Sequence, residues 1–377
     1  MSLTTQKIIG MAVIAIIAFS YGIIVDHFRI FPYDAIRETK IAILNDKNFQ
    51  SKDYNQIIYE NDTKSLIHIS EQEDVVAKRM LLYQYLWPKE GFPFSKMPSS
   101  VEKNIVDPRY EDIDNLKNIT KLTIQMDYDV NSIAYLFSSQ QSNNKLVIYH
   151  QGHDGDFYKG KSTIQFFLNQ GYSVLALSMP LMGMNNQPVV DVPEFGKIKL
   201  TSHDHFQFLK NENFSPIKYF IEPVVVSLNY LDNQFNFDSY YMVGLSGGGW
   251  TTILSAAIDD RISQSYSVAG SVPIYLRSNV RDLGDYEQIE PDLYHITNYL
   301  DLYVLGAFGD NRKLILIYNK YDSCCFAGEG YKTFESEITN TVNHLGKGKF
   351  EVYLDDTHNQ HMISPYTLNL IKDLMNK

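Results

Sequence analysis

The chain has 377 residues, 44% of them hydrophobic, and a formal net charge of −11. That length can hold one large α/β domain with an appendage. The acidic balance, with no basic cluster anywhere, disfavours nucleic acid as a partner.

Ile8 to Val25 is an 18-residue run without charge, preceded by Lys7 and followed by Asp26. It is just long enough to span a bilayer. A cleaved signal peptide would have a shorter apolar stretch, and its small-x-small site would be Ala18-Phe19-Ser20. The run therefore reads as an uncleaved signal-anchor over residues 1–27. With Lys7 on the cytoplasmic side, the remainder is expected outside the cell membrane, secretion after cleavage being the alternative.

Residues 28–118 read as a spacer or accessory region packed on the main domain, with a helix over Val75 to Trp87. From Ile119 the pattern changes. Lys121 to Met126 and Ser132 to Phe137 alternate as two antiparallel strands. Buried strands follow at Lys145 to His150, Ser173 to Ser178, Tyr240 to Gly244, Ser265 to Gly270, Lys313 to Tyr318 and Phe350 to Leu354, with helical stretches between them. Strands alternating with helices indicate an α/β fold with a mostly parallel sheet flanked by helices. Two irregular segments, 181–215 and 277–311, are too long for simple connections and suggest lids.

Tyr240-Tyr241-Met242-Val243 runs straight into Gly244-Leu245-Ser246-Gly247-Gly248, which is Gly-x-Ser-x-Gly after a strand. This is the pattern of a nucleophile elbow, where glycines two positions either side of the serine remove side chains that would collide. A serine hydroxyl needs a base, and the base needs a carboxylate to hold its tautomer. Asp322 lies just past the strand ending near Tyr318, and Asp301, Asp310 and Asp355 follow strands less directly. The base is His361 or His358, both close before Ser364-Pro365, a helix start of N-cap and first-turn residues. The residues alone leave both open.

The elbow, the His150-Gln151-Gly152-His153 turn, Asp322 and His361 resemble the α/β-hydrolase superfamily over residues 119–377, about two thirds of the chain. The resemblance implies a serine hydrolase with Ser246 as nucleophile, Asp322 and His361 as its partners, and an acyl-enzyme intermediate. It implies backbone oxyanion donors at Gly247 and at Gly152 or His153, with His150 as a brace. The expected substrate is a small-molecule or glycan carboxylic ester, for instance an acetylated glycan. A serine peptidase similar to prolyl oligopeptidase and a non-catalytic binding protein of the same fold are the alternatives.

No cofactor is implied. A metal is disfavoured because the two His-x-x-His pairs, His150 with His153 and His358 with His361, fall in loops and enclose no Glu. Cys324 and Cys325 are adjacent. Neighbouring cysteines bridge poorly, so burial as small apolar side chains is the expected role.

Overall fold

The computed structural model describes Ile14 and residues 17–22, 62–277 and 283–377. Ser51–Lys377 form one compact unit and Met1–Gln50 a second. The expected membrane span lies outside the described residues except at Ile14 and 17–22, which are helical. Among the described residues no helix is long and apolar enough to cross a membrane.

Helix α1 (Gln72–Leu86) comes first. The sheet then opens as an antiparallel meander of β1 (Ser100–Ile105), β2 (Leu116–Gln125) and β3 (Asn131–Ser139). β1 and the first residues of β2 lie upstream of the expected boundary at Ile119. The Ser-Val-Glu-Lys-Asn-Ile of β1 is mostly solvent-facing, so no apolar alternation announces it.

The parallel part follows: β4 (Lys145–His150), helix α2 (Lys161–Asn169) and β5 (Ser173–Leu177). A separate hairpin, β6 (Val189–Val192) and β7 (Gly196–Lys199), and a 3₁₀ turn at His203–Phe208 occupy the first expected lid. Then come α3 (Lys218–Gln234), β8 (Ser239–Leu245), α4 (Gly247–Ile258) and β9 (Ile262–Val268). With β10 (Lys313–Asn319) and β11 (Lys349–Asp355), the strand order is β1-β2-β3-β5-β4-β8-β9-β10-β11.

The second expected lid is only partly irregular. It carries short helices α5 (Tyr286–Ile289) and α6 (Pro291–Ile296), then α7 (Tyr299–Ala307), every residue of which is buried. α7 is a core crossover helix between β9 and β10. Its one charged residue, Asp301, is buried with the rest, so it has no solvent-facing polar stripe by which periodicity could reveal it. The series ends with β10 (Lys313–Asn319), α8 (Glu335–Leu345), β11 (Lys349–Asp355) and α9 (Pro365–Met375).

Alternation along the strands divides the core in two. Met242, Leu314 and Leu316 join the cluster under α1, α3, α4, α7 and α8. Val243, Ile315 and Ile317 face the other cluster, under α2 and α9. Burial on both faces explains why these strands read as continuous apolar runs.

Asp355, fully buried at the end of β11, fastens the last loop. It accepts hydrogen bonds from Thr357 N at 2.9 Å and Thr367 Oγ1 at 2.8 Å, and from the Ser364 hydroxyl. Burial alone would push its carboxyl up, but hydrogen bonds from His358, Ser364 and Thr357 hold it well below the usual carboxylate range. A depressed carboxyl contributes stability above its unfolded-state pKa and loses it as pH falls through the folded-state value. Asp355→Ala strands several buried donors and should lower unfolding free energy by about 3 kcal/mol in urea titrations at neutral pH.

Candidate active site

β8 ends at Leu245, and the chain reverses into α4 through Ser246, whose φ of 57° and ψ of −124° lie in a region that side chains avoid. Such a backbone costs about 1–3 kcal/mol and persists only when the surroundings enforce it. Here Ser246 N donates to Val268 O at 2.9 Å, and Trp250 N to Ser246 O at 3.0 Å. The flanking glycines are needed for space. A Cβ on Gly244 would lie 2.1 Å from Gly248 O, and one on Gly248 would lie 2.1 Å from His150 O.

Ser246 follows β8, Asp322 follows β10 and His361 follows β11, all at the carboxyl end of the parallel strands. His361 Nδ1 is 2.7 Å from Asp322 Oδ2. A carboxylate only accepts, so Nδ1 carries the hydrogen and Nε2 presents its lone pair. Nε2 is buried and has no hydrogen-bond partner among the described residues. No hydrogen bond joins it to Ser246 there, a looseness common without substrate. Asp322 is itself held by Cys324 N–H at 2.8 Å on Oδ1 and by Asn319 Nδ2 at 3.3 Å on Oδ2. Burial alone would lower the His361 pKa, but the Asp322 hydrogen bond and charge outweigh it and raise the pKa above the ordinary histidine value.

His358 is placed differently. Its Nδ1 accepts from Gln360 N–H at 3.1 Å, and its Nε2 lies 3.3 Å from Asp355 Oδ2. Both ring nitrogens therefore face groups of the last loop. Asp301 is buried against Lys78 at 2.9 Å, away from either histidine. Cys324 is exposed and Cys325 only partly covered, contrary to their expected burial. The turn after Asp322 that supplies the Cys324 amide runs along the surface and carries both cysteines with it.

Gly152 touches the nucleophile: a Cβ there would sit 2.8 Å from Leu245 O and Ser246 Cβ. Among the described residues no hydrogen bond occupies the N–H groups of Gly152, His153 or Gly247. Gly247 opens α4, where the helix dipole favours negative charge. His150 is buried with Nδ1 3.0 Å from Gln151 O, and desolvation depresses its pKa to about 4, so it is neutral. The His153 ring lies against Gly247, since a Cβ at Gly247 would be 2.2 Å from its Cε1.

The far edge of that ring meets three residues to which no sequence motif points. His153 Nε2 is 2.8 Å from Asp285 Oδ2, 2.9 Å from Glu287 Oε1 and 3.2 Å from His203 Nδ1. These come from three separate segments, so no spacing in the chain signals their meeting. In isolation, burial would lower the His153 pKa, but Glu287 and Asp285 raise it to about 10.

No protein-family model matches the chain, and no curated protein sequence matches it. Solved structures do. Acetyl xylan esterase 1 from Thermoanaerobacterium sp. JW/SL YS485 superposes with a TM-score of 0.55 at 12% identity, covering 83% of this chain and 96% of that one. A glucuronoyl esterase from Solibacter usitatus gives 0.52 at 11% identity, covering 81% of this chain and 92% of that one. At such identities the likeness establishes the fold: this chain has the α/β-hydrolase fold.

Proposed function

We propose that this chain is a serine hydrolase acting on carboxylic esters, held at the cell membrane by its N-terminal run with the catalytic unit outside. One observation carries the reading: a serine in a strained strand-to-helix turn, at the same end of the sheet as a half-buried histidine paired with a carboxylate at 2.7 Å. Ser246 Oγ attacks the ester carbonyl while His361 Nε2 takes its proton, and Asp322 supports the imidazolium. The Gly247 N–H and an N–H of the Gly152–His153 turn receive the oxyanion. His361 then protonates the leaving alcohol, and water repeats the sequence on the acyl-enzyme.

The two neighbours are by name an acetyl xylan esterase and a glucuronoyl esterase, and those names support an ester of a saccharide as substrate. A peptidase similar to prolyl oligopeptidase would need a propeller before the catalytic unit. Among the described residues upstream of β2 there is one strand, β1. The membrane assignment rests on the uncharged run from Ile8 to Val25.

A fluorophosphonate probe tests the nucleophile directly. It should label the wild type stoichiometrically at Ser246, and esters such as acetylated xylo-oligosaccharides should turn over where matching amides do not. Equal labelling of Ser246→Ala would falsify the assignment.

A further inference from the structure

We infer that His153, His203, Asp285 and Glu287 form a binding site for one divalent transition-metal ion of the zinc class, beside the nucleophile elbow. One ligand atom from each residue lies within 4.8 Å of the other three. Four tetrahedral ligands bonded to zinc at about 2.0–2.1 Å stand about 3.3 Å apart. The spacings around the histidines match: 3.2 Å between His153 Nε2 and His203 Nδ1, and 3.1 Å between His203 Nδ1 and Glu287 Oε2. Two imidazoles and two carboxylates suit zinc-like ions better than calcium or magnesium, which favour all-oxygen sets. Two carboxylate charges would balance the dication.

Two further observations point to a cation. The first is the tautomer of His203. Its Nε2 lies 2.9 Å from Pro180 O, a carbonyl that can only accept. Nε2 therefore carries the hydrogen, and in the neutral ring Nδ1 turns a bare lone pair toward the Glu287 carboxylate and His153. A histidine that donates one N–H to a backbone carbonyl while its other nitrogen faces the cluster has the outer-shell arrangement of a metal ligand. The second is Glu287, which is fully buried, with Oε1 making no hydrogen bond among the described residues. Its nearest nitrogen is His153 Nε2 at 2.9 Å, which Asp285 Oδ2 at 2.8 Å and His203 Nδ1 at 3.2 Å share. A buried carboxylate oxygen aimed into the cluster without a donor is costly unless a positive centre meets it.

The framework is built to hold these groups. Arg277 donates to Leu283 O at 2.7 Å and Gln288 O at 3.2 Å, bracketing the segment with Asp285 and Glu287. Tyr299 OH donates to Gln288 O at 2.9 Å. His203 is 3% exposed, whereas Asp285 is 52% exposed and forms the mouth through which an ion enters. The ion would tie the turn after β4 to both lid segments. Because the His153 ring rests on Gly247, its occupancy would also set the shape of the oxyanion site.

Tag-free full-length protein, stripped with dipicolinate and titrated with zinc, should bind one equivalent by mass spectrometry of the metal, and Tm should rise by about 5 °C. Cobalt substitution should give the intense visible bands of a four-coordinate ion. Glu287→Gln and the more exposed Asp285→Asn should each weaken zinc binding at least about tenfold, while Ser246→Ala keeps full stoichiometry. Asp285→Asn leaves the buried contacts of Glu287 in place, so it reports on binding even if Glu287→Gln misfolds. A wild type with no zinc equivalent, an octahedral cobalt spectrum and a Tm indifferent to zinc overturns the site and leaves an ion-pair network of His153 and His203 with the two carboxylates.

Discussion

Replacing Ser246 with alanine should reduce kcat on an activated acetate ester by about 10⁴- to 10⁶-fold, with thermal stability unchanged or slightly raised. Without the hydroxyl there is no acyl-enzyme. The remaining rate over water comes from oxyanion donors and substrate binding, neither of which the substitution touches. The backbone strain at a φ of 57° is the same for alanine as for serine, and the Ser246 hydroxyl makes no hydrogen bond among the described residues, so removing it costs little stability. Steady-state kinetics together with a thermal melt separates this outcome from misfolding. A loss smaller than about tenfold in a folded variant sinks the nucleophile.

Removing the imidazole of His361 should cost nearly as much as removing Ser246, about 10⁴-fold or more in kcat/KM, whereas His358→Ala should cost less than about tenfold. The contrast rests on nitrogen availability. Nδ1 of His361 donates to Asp322 and leaves Nε2 a lone pair to take a proton, whereas Nδ1 of His358 accepts from Gln360 N–H, so its Nε2 already carries the hydrogen and faces Asp355. The pH profile provides a second readout. Catalysis needs neutral His361, and its pKa is raised. The acid limb of kcat/KM should therefore lie above the ordinary histidine pKa of about 6.5, with activity falling as pH drops through it. Asp322→Asn should move that limb downward and lower kcat about 10⁴-fold. Stability runs the other way. A raised folded-state pKa means the His361–Asp322 pair stabilises fully below the unfolded-state value, and that contribution is lost as pH rises through the folded-state one. If His358→Ala alone abolished turnover, the roles of the two histidines would be exchanged.

Much of this was legible in the chain because the relevant signals are local. Gly244 and Gly248 flank the serine at the spacing the turn demands, and Ser364 caps α9 through its bond from Thr367 N at 3.0 Å. The buried strands announce themselves as short apolar runs. The misreadings have physical causes of the opposite kind. β1 is an edge strand with polar faces, and α7 is buried all round, so neither shows the period of its class. His203, Asp285 and Glu287 meet His153 only through the folded positions of three loops, which a search for helical metal motifs cannot anticipate.

The strand order has a consequence for how the molecule is made. β2 and β3 are joined by a tight turn and can pair as soon as both exist. β4 sits between β5 and β8, whose sequence distances from it are very unequal. During synthesis, Leu146 to His150 gains one neighbour early and waits through the hairpin and α3 for the other. Until β8 arrives, an apolar parallel strand at the centre of the future sheet has an open edge, the kind of surface that pairs with other chains. Parallel pairings of high sequence separation form slowly, so docking of β8 is the step on which productive folding and aggregation compete. The strand that leads into the serine is also the one that joins the two halves of the sheet.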